Sequence, residues 1–268
     1  MESVSGNHNH RTLSVTRREC SAVVTVNIPE KMNALSPLLM REIWSALDEL
    51  EGEECLQAII ITGAGEEAFI SGADLEDFEN LNPLRASNRA VEGQAFINRI
   101  ASCRVPTIAA VNGYALGGGF EICLACDFVI ASQNARFGFP EVRLGMIPGW
   151  GGTQRLARLI GPRIAKELIL TGALWDAGKA LSVGIVNQVV PAEDLFTAVF
   201  SLVEELGKGG RFALRQAKLA IDRGLDMGYA QALELEIECL SSCFFSDEPK
   251  KRIQAFRNKK SVHKRVQL

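Results

Sequence analysis

The sequence predicts an α/β fold whose last third is wholly helical. Three observations carry this. Short β-rich runs are apolar throughout rather than alternating, as parallel strands covered on both faces are. Helical patterns lie between them, which implies right-handed crossovers. After about residue 191 the β signal disappears and only amphipathic helical patterns remain. With 268 residues, 47% of them hydrophobic, the chain can bury one sizeable core, or a core and a small appendage.

In chain order, residues 1–11 read as a polar tail. The strands expected are Ala22–Ile28, Ala58–Thr62, Thr107–Val111, Phe128–Ala131 and Ile185–Val190. A helix is expected over Pro37–Leu50, because Ser36 supplies an N-cap and Pro37 suits the first helical position. A longer, more polar helix follows over Arg85–Ser102. Shorter ones cover Gly119–Cys126, Thr153–Leu159 and Pro162–Thr171. The helical end comprises Ala192–Leu206, Ala213–Arg223, Tyr229–Phe244 and Glu248–Asn258. The organisation expected is a tail over 1–11, an α/β core carrying the active site over 12–190, and a helical region over 191–268. No internal repeat is visible.

A formal net charge of -3 gives no electrostatic case for nucleic acid as a partner. No apolar run approaches the roughly 20 residues that cross a bilayer, so no membrane span is expected. The N-terminus lacks the apolar stretch of a secretory signal, and the location expected is cytoplasmic. Seven Cys without framework spacing fit free thiols in a reducing compartment. Cys123 and Cys126 form C-x-x-C, but no second Cys pair stands near them and His8, His10 and His263 lie at the chain ends. No metal is therefore expected, and the two thiols read as small apolar residues on a buried helix.

Three segments depart from what packing alone needs. In Phe69–Leu75 (FISGADL), Gly72 allows a positive φ or a close backbone approach, although an ordinary turn would also explain it. In Val111–Asp127 (VNGYALGGGFEICLACD), three glycines precede a helix and leave amides uncovered at its positive end. Glu121 stands in that helix's first turn. A solvated, dipole-favoured carboxylate would fit the position, but the rest of the helix is almost wholly apolar, and a buried carboxylate needs a partner or a task. In Phe137–Arg155 (FGFPEVRLGMIPGWGGTQR), Glu141 follows Pro140 in a Gly- and Pro-rich stretch with little regular structure expected. That stretch fits either a surface loop or a cavity lining. No nucleotide-binding glycine fingerprint is present, which excludes a dinucleotide-dependent dehydrogenase.

Taken together, PEKMNAL (29–35), SGADL (71–75), AAVNGYALGGGFE (109–121), CD (126–127), FPEVRLGMIPGWGGTQRL (139–156) and LTG (170–172) resemble the enoyl-CoA hydratase/isomerase (crotonase) superfamily, the hydratases most closely. The likeness runs from about residue 12 to 260. It implies a spiral of ββα turns, a helical C-terminal region that mediates trimers, and homo-oligomers that are trimers or dimers of trimers. It implies an acyl-CoA substrate, with coenzyme A part of that substrate and no separate cofactor. The backbone amides of Ala73 and Gly118 would form an oxyanion hole for the thioester oxygen. Glu121 would activate water and Glu141 would deliver a proton to C2 in syn addition across the 2,3 double bond. Ala34, Ser71, Gly72, Asp74 and Leu75 would hold the nucleotide end with Ala73, and Phe256 and Lys259 match C-terminal positions that reach coenzyme A.

Two departures from the family pattern stand out. Trp150 replaces a small residue found in many relatives that take long chains, so its indole would either shorten the acyl pocket or favour an aromatic or branched group, or else simply pack beneath the loop. Lys251 and Arg252 replace a Glu-Gly pair, which bears on the subunit contact and not on the chemistry. The same oxyanion hole also supports isomerisation, decarboxylation or hydrolysis of acyl-CoAs, and some relatives bind RNA. Having both glutamates favours hydration.

Overall fold

The computed structural model describes residues 11–265, with side chains described as far as Asn258. The expected tail therefore lies, but for Arg11, outside the described residues. Chain order explains the architecture. A first antiparallel pair, β1 (Leu13–Arg18) and β2 (Ser21–Val26), leads into α1 (Pro37–Glu51). The unit then repeats as β3 (Ala58–Gly63), β4 (Ala68–Ile70) and α2 (Pro83–Ala101), and again as β5 (Thr107–Val111), β6 (Tyr114–Leu116) and α3 (Gly118–Ala125). A further turn comprises β7 (Phe128–Ser132), β8 (Arg136–Gly138) and α4 (Gly152–Ile160). After α5 (Pro162–Thr171), β9 (Leu174–Asp176), α6 (Ala177–Ser182) and β10 (Gln188–Val190) close the core.

In each of the three repeats that start at β3, the first strand joins one sheet and the second joins another. The larger sheet has the order β1-β2-β3-β5-β7-β10, parallel from β2 onward. The smaller has the order β4-β6-β8-β9, with β9 antiparallel to β8. This is the spiral of ββα turns that the resemblance implies. It was invisible as a repeat because successive turns share geometry and not residues.

The strands expected from apolar runs are all in the larger sheet, where β3 and β5 are buried at every residue. Sequence reading missed β1 and the whole smaller sheet. Three-residue strands offer too short a pattern to distinguish from loop. The expected Ile185–Val190 strand shortens to Gln188–Val190, because Ile185 and Val186 enter the core as a turn. The Ala192–Leu206 helix begins as a 3-10 turn at Ala192–Asp194 and becomes α7 only from Leu195, running to Gly207.

Ser36 caps α1 as expected, accepting the amide of Leu39 at 3.2 Å. Leu39, Ile43, Leu47 and Leu50 pack its inner face into the core. The turn before it is pinned by Asn33, which is fully buried at φ 58°. The Asn33 side chain accepts from the amide of Ile28 and donates to the carbonyls of Ala64 and Ala68.

The chain divides into two compact units at Glu204/Glu205, inside α7 and not at 190/191. Apolar packing explains the position: Leu195, Val199 and Val203 are buried, so the first turns of α7 belong to the core. The second unit contains α8 (Arg211–Gly224), α9 (Tyr229–Ser242) and α10 (Glu248–Arg265). Within it, Arg252 pairs with Glu248 at 2.8 Å and donates to the carbonyls of Lys208 and Gly209.

Candidate active site

The triple glycine is built for contact, and each member serves a different neighbour. Gly117, the N-cap of α3, has φ 47°, and a methyl there would meet Glu141 Oε1 at 2.8 Å. A methyl on Gly118 would come within 2.7 Å of the Trp150 ring. One on Gly119 would come within 2.0 Å of the Ile70 carbonyl, so only glycine lets α3 lie on β4. Gly72, at φ 114°, faces the Leu116 carbonyl, and a methyl on Gly117 would stand 3.8 Å from its Cα. The two glycine turns are therefore neighbours, and Ala73 and Gly118 each lie one residue beyond this approach.

Ala73 pairs with Leu35 in a single parallel bridge. The bonds of that bridge run from the Leu35 amide to the Gly72 carbonyl and from the Asp74 amide to the Leu35 carbonyl. The amide of Ala73 itself is therefore turned away from Leu35. The amide of Gly118, at the first position of α3, precedes every intrahelical acceptor.

Glu121 is 2% exposed, which rules out the solvated reading. Its Oε1 accepts the amides of Trp150 at 2.8 Å and Gly152 at 2.7 Å. Gly152 opens α4, so this carboxylate caps a second helix at its positive end. Burial pushes the Glu121 carboxyl up to about 7 against the pull of those two amides and of Arg155.

Glu141 sits in a 3-10 helix, Pro140–Leu144, where little regular structure was expected. Pro140 fixes the first φ, and Gly145 ends the turn in the left-handed region at φ 74°. Its Oε2 is buried without a hydrogen-bond partner among the described residues. Burial, with a further contribution from the Glu121 charge, raises Glu141 to about 7 as well. Two glutamates from different turns of the spiral thus sense one another, one clasped by amides and the other with an uncommitted oxygen.

Beside the Gly72 turn an open groove of about 400 Å³ is lined by Ala34, Ser71, Ala73, Asp74 and Leu75, together with Lys31, Glu76 and Glu79. Lys31 pairs with Asp74 at 3.1 Å and Glu76 at 3.5 Å, and its hydrogen bond holds the Asp74 carboxyl below the usual range.

Known proteins resemble this chain over most of its length. The enoyl-CoA hydratase/isomerase family model matches residues 16–265. This chain belongs to the enoyl-CoA hydratase/isomerase family. A short-chain-enoyl-CoA hydratase of Clostridium acetobutylicum is 40% identical over 241 residues, covering 90% of this chain and 92% of that one. A crotonyl-CoA hydratase of Syntrophomonas wolfei is 37% identical over 254 residues, covering 95% and 98%. The crystal structure of an enoyl-CoA hydratase from Bacillus anthracis superposes with a TM-score of 0.89 at 36% identity, covering 93% and 97%. The fold is the crotonase fold.

Of the family positions expected here, the structure brings Ala34, Ser71, Ala73, Asp74 and Leu75 to one groove, with Gly72 between them in sequence. It sets the Trp150 amide on Glu121 and the Trp150 ring against Gly118, and Glu141 against Gly117. Trp150 is 5% exposed, and its ring fills the space between Gly118 on α3 and Gly93 on α2. It is therefore packed beneath the loop and adjacent to Gly118. Phe256 lies on α10 in the second unit, and the side chain of Lys259 lies outside the described residues.

Sequence reasoning missed Lys31, Arg89 and Arg155. Lys31 stood in plain view inside PEKMNAL. Arg89 is a buried cation one helical turn before Gly93, its guanidinium 4.9 Å from the centre of the Trp150 ring. An arginine four residues before a glycine in a half-apolar helix was the available signal. Among the described residues no helix is long and apolar enough to cross a membrane, and all seven cysteines are free.

Proposed function

We infer that this chain is an enoyl-CoA hydratase, adding water syn across the 2,3 double bond of a 2-enoyl-CoA to give the 3-hydroxyacyl-CoA. The observation that carries the reading is the pair Glu121 and Glu141. Both carboxyls are held near neutrality by burial, yet they are solvated by the protein in opposite ways.

Two amides and Arg155 favour the charged form of Glu121. Glu141 has only its own backbone amide on that side, and its Oε2 lacks a partner among the described residues. With one proton shared, Glu121 carries the charge and Glu141 the proton. Glu121 then takes a proton from the water attacking C3 while Glu141 gives one to C2. This accounts for addition from a single face. The thioester oxygen gains enolate charge, which the amides of Ala73 and Gly118 and the positive end of α3 receive; such a donor is worth about 2.7–4 kcal/mol of barrier. The groove beside Ala73 takes the nucleotide end of coenzyme A, with Lys31 free to exchange its carboxylate partners for phosphate oxygens. No separate cofactor enters the scheme.

A homo-oligomer, a trimer or a dimer of trimers, is part of the proposal. Its support is the exposure of Phe244, Phe245, Ile237 and Leu240 in the helical unit, apolar side chains that another copy would cover. A cytoplasmic location is also part of the proposal, supported by seven free thiols, which persist in reducing compartments.

The test is hydration of crotonyl-CoA, followed by loss of the conjugated-thioester absorbance, in the wild type and in Glu121→Gln and Glu141→Gln. Each variant is expected to lose about 10²–10⁴-fold in kcat. Retention of half the activity by either variant would remove that glutamate from the mechanism.

A further inference from the structure

The segment that clasps Glu121 is itself held from outside the site. Residues 149–155 present the amides of Trp150 and Gly152 to Glu121 Oε1. Helix α2 grips this segment at four points. Gln94 donates to the Gly149 carbonyl at 3.0 Å, and Asn98 accepts from Arg155 Nη2 at 2.8 Å. Gly93 receives the pyrrole edge of the Trp150 indole, where a methyl would stand 2.2 Å from Cδ1. Arg89 covers the ring face. Gln94 and Asn98 are exposed and hold nothing else in the described hydrogen bonding, so packing gives no reason for both to bond this loop.

We propose that α2 is a clamp for the catalytic carboxylate: Gln94 and Asn98 are positioning residues that fix the 149–155 segment, and through it the Trp150 and Gly152 amides and the Arg155 guanidinium, on Glu121. This rests on the hydratase reading for its kinetic consequence, though the clamp itself is a statement about Glu121 alone.

The consequence is electrostatic. Burial favours the neutral form of Glu121, and only the two amides and Arg155 oppose it. The other groups facing this carboxyl are few. Glu141 comes from its 3-10 helix, and Arg89 on α2 stands behind the indole. Strands β4 and β6, also packed on α3, contribute only Tyr114 among titratable residues. Loosening the clamp therefore weakens what keeps Glu121 ionised, and its proton is held to higher pH. A base that must be ionised then loses activity on the acid side alone.

The experiment compares wild type, the double variant Gln94→Leu/Asn98→Leu, and Asn98→Gln, which retains a neutral amide acceptor for Arg155. In the double variant the acid limb of kcat for crotonyl-CoA is expected to move up by about one pH unit, roughly a tenfold loss near the foot of the limb, with the plateau kcat and KM within about twofold. Asn98→Gln is expected to keep the wild-type limb. An unmoved limb, or a loss equal at every pH, overturns the clamp. The same variants, labelled with 13C at the glutamate carboxyls and assigned through Glu121→Gln, report the Glu121 titration directly. An unchanged midpoint in the double variant overturns the proposal whether or not crotonyl-CoA is the substrate. Failure of the wild type to hydrate crotonyl-CoA counts against the proposed function and leaves the spectroscopic test standing.

Discussion

Replacing Glu141 by Gln is expected to stabilise the fold at alkaline pH while lowering kcat by about 10²–10⁴-fold. Burial raises this carboxyl from 4.5 to about 7. Between those values the native state retains a proton that the unfolded chain has released, so stability falls as pH rises through the interval and stays reduced above it. At 1.36 kcal/mol per pH unit the full gap corresponds to about 3 kcal/mol. Glu141 is only partly buried, so solvent screening brings the expected gain down to about 2 kcal/mol. A glutamine does not titrate. Its advantage over Glu should be absent near the unfolded-state value, grow through neutrality and level off above it. For a protein of this size that is roughly 2–4 °C in Tm per kcal/mol. The assay is thermal unfolding of both proteins across mildly acidic to alkaline pH, and the quantity read is the pH slope of the difference. A Tm difference independent of pH, or a variant that loses ground as pH rises, would refute the reasoning, because it would mean that no burial cost is attached to the Glu141 charge.

Other expectations rest on neighbouring contacts. Trp150→Ala removes the ring wedged between Gly93 and Gly118 and is expected to raise kcat/KM for 2-decenoyl-CoA relative to crotonyl-CoA, at a stability cost of about 3–5 kcal/mol. An unchanged chain-length preference would show that the ring only packs. Gly118→Ala forces a methyl to 2.7 Å from that ring and 3.0 Å from Leu35 Cδ1, displacing the amide proposed to hold the thioester oxygen. Steady-state kinetics should register about a 10²–10³-fold fall in kcat, and a near-normal kcat would mean that this amide does not serve the reaction.

Much of this protein was written locally. The buried strands of the larger sheet, the Ser36-Pro37 helix start and the helical end could be read because long apolar runs, caps and 3.6-residue periodicity are properties of neighbouring residues. The ordered motifs sufficed to point to the family and to name Glu121 and Glu141, since each motif encodes a turn that only certain residue types can make. Three-residue strands such as Ala68–Ile70 and Arg136–Gly138 carry no such signal, and they form only because an adjacent turn of the spiral offers a strand to pair with. The unit boundary moved into α7 for a related reason, since whether Val199 and Val203 are buried depends on what packs against them. The role of each glycine in the triplet was likewise undetermined until Glu141, Trp150 and Ile70 arrived from other turns. The acidities of the two glutamates belong wholly to tertiary structure. A carboxyl's affinity for its proton is set by the water it loses and the amides it meets, and residues 149–155 lie about thirty positions from Glu121 along the chain.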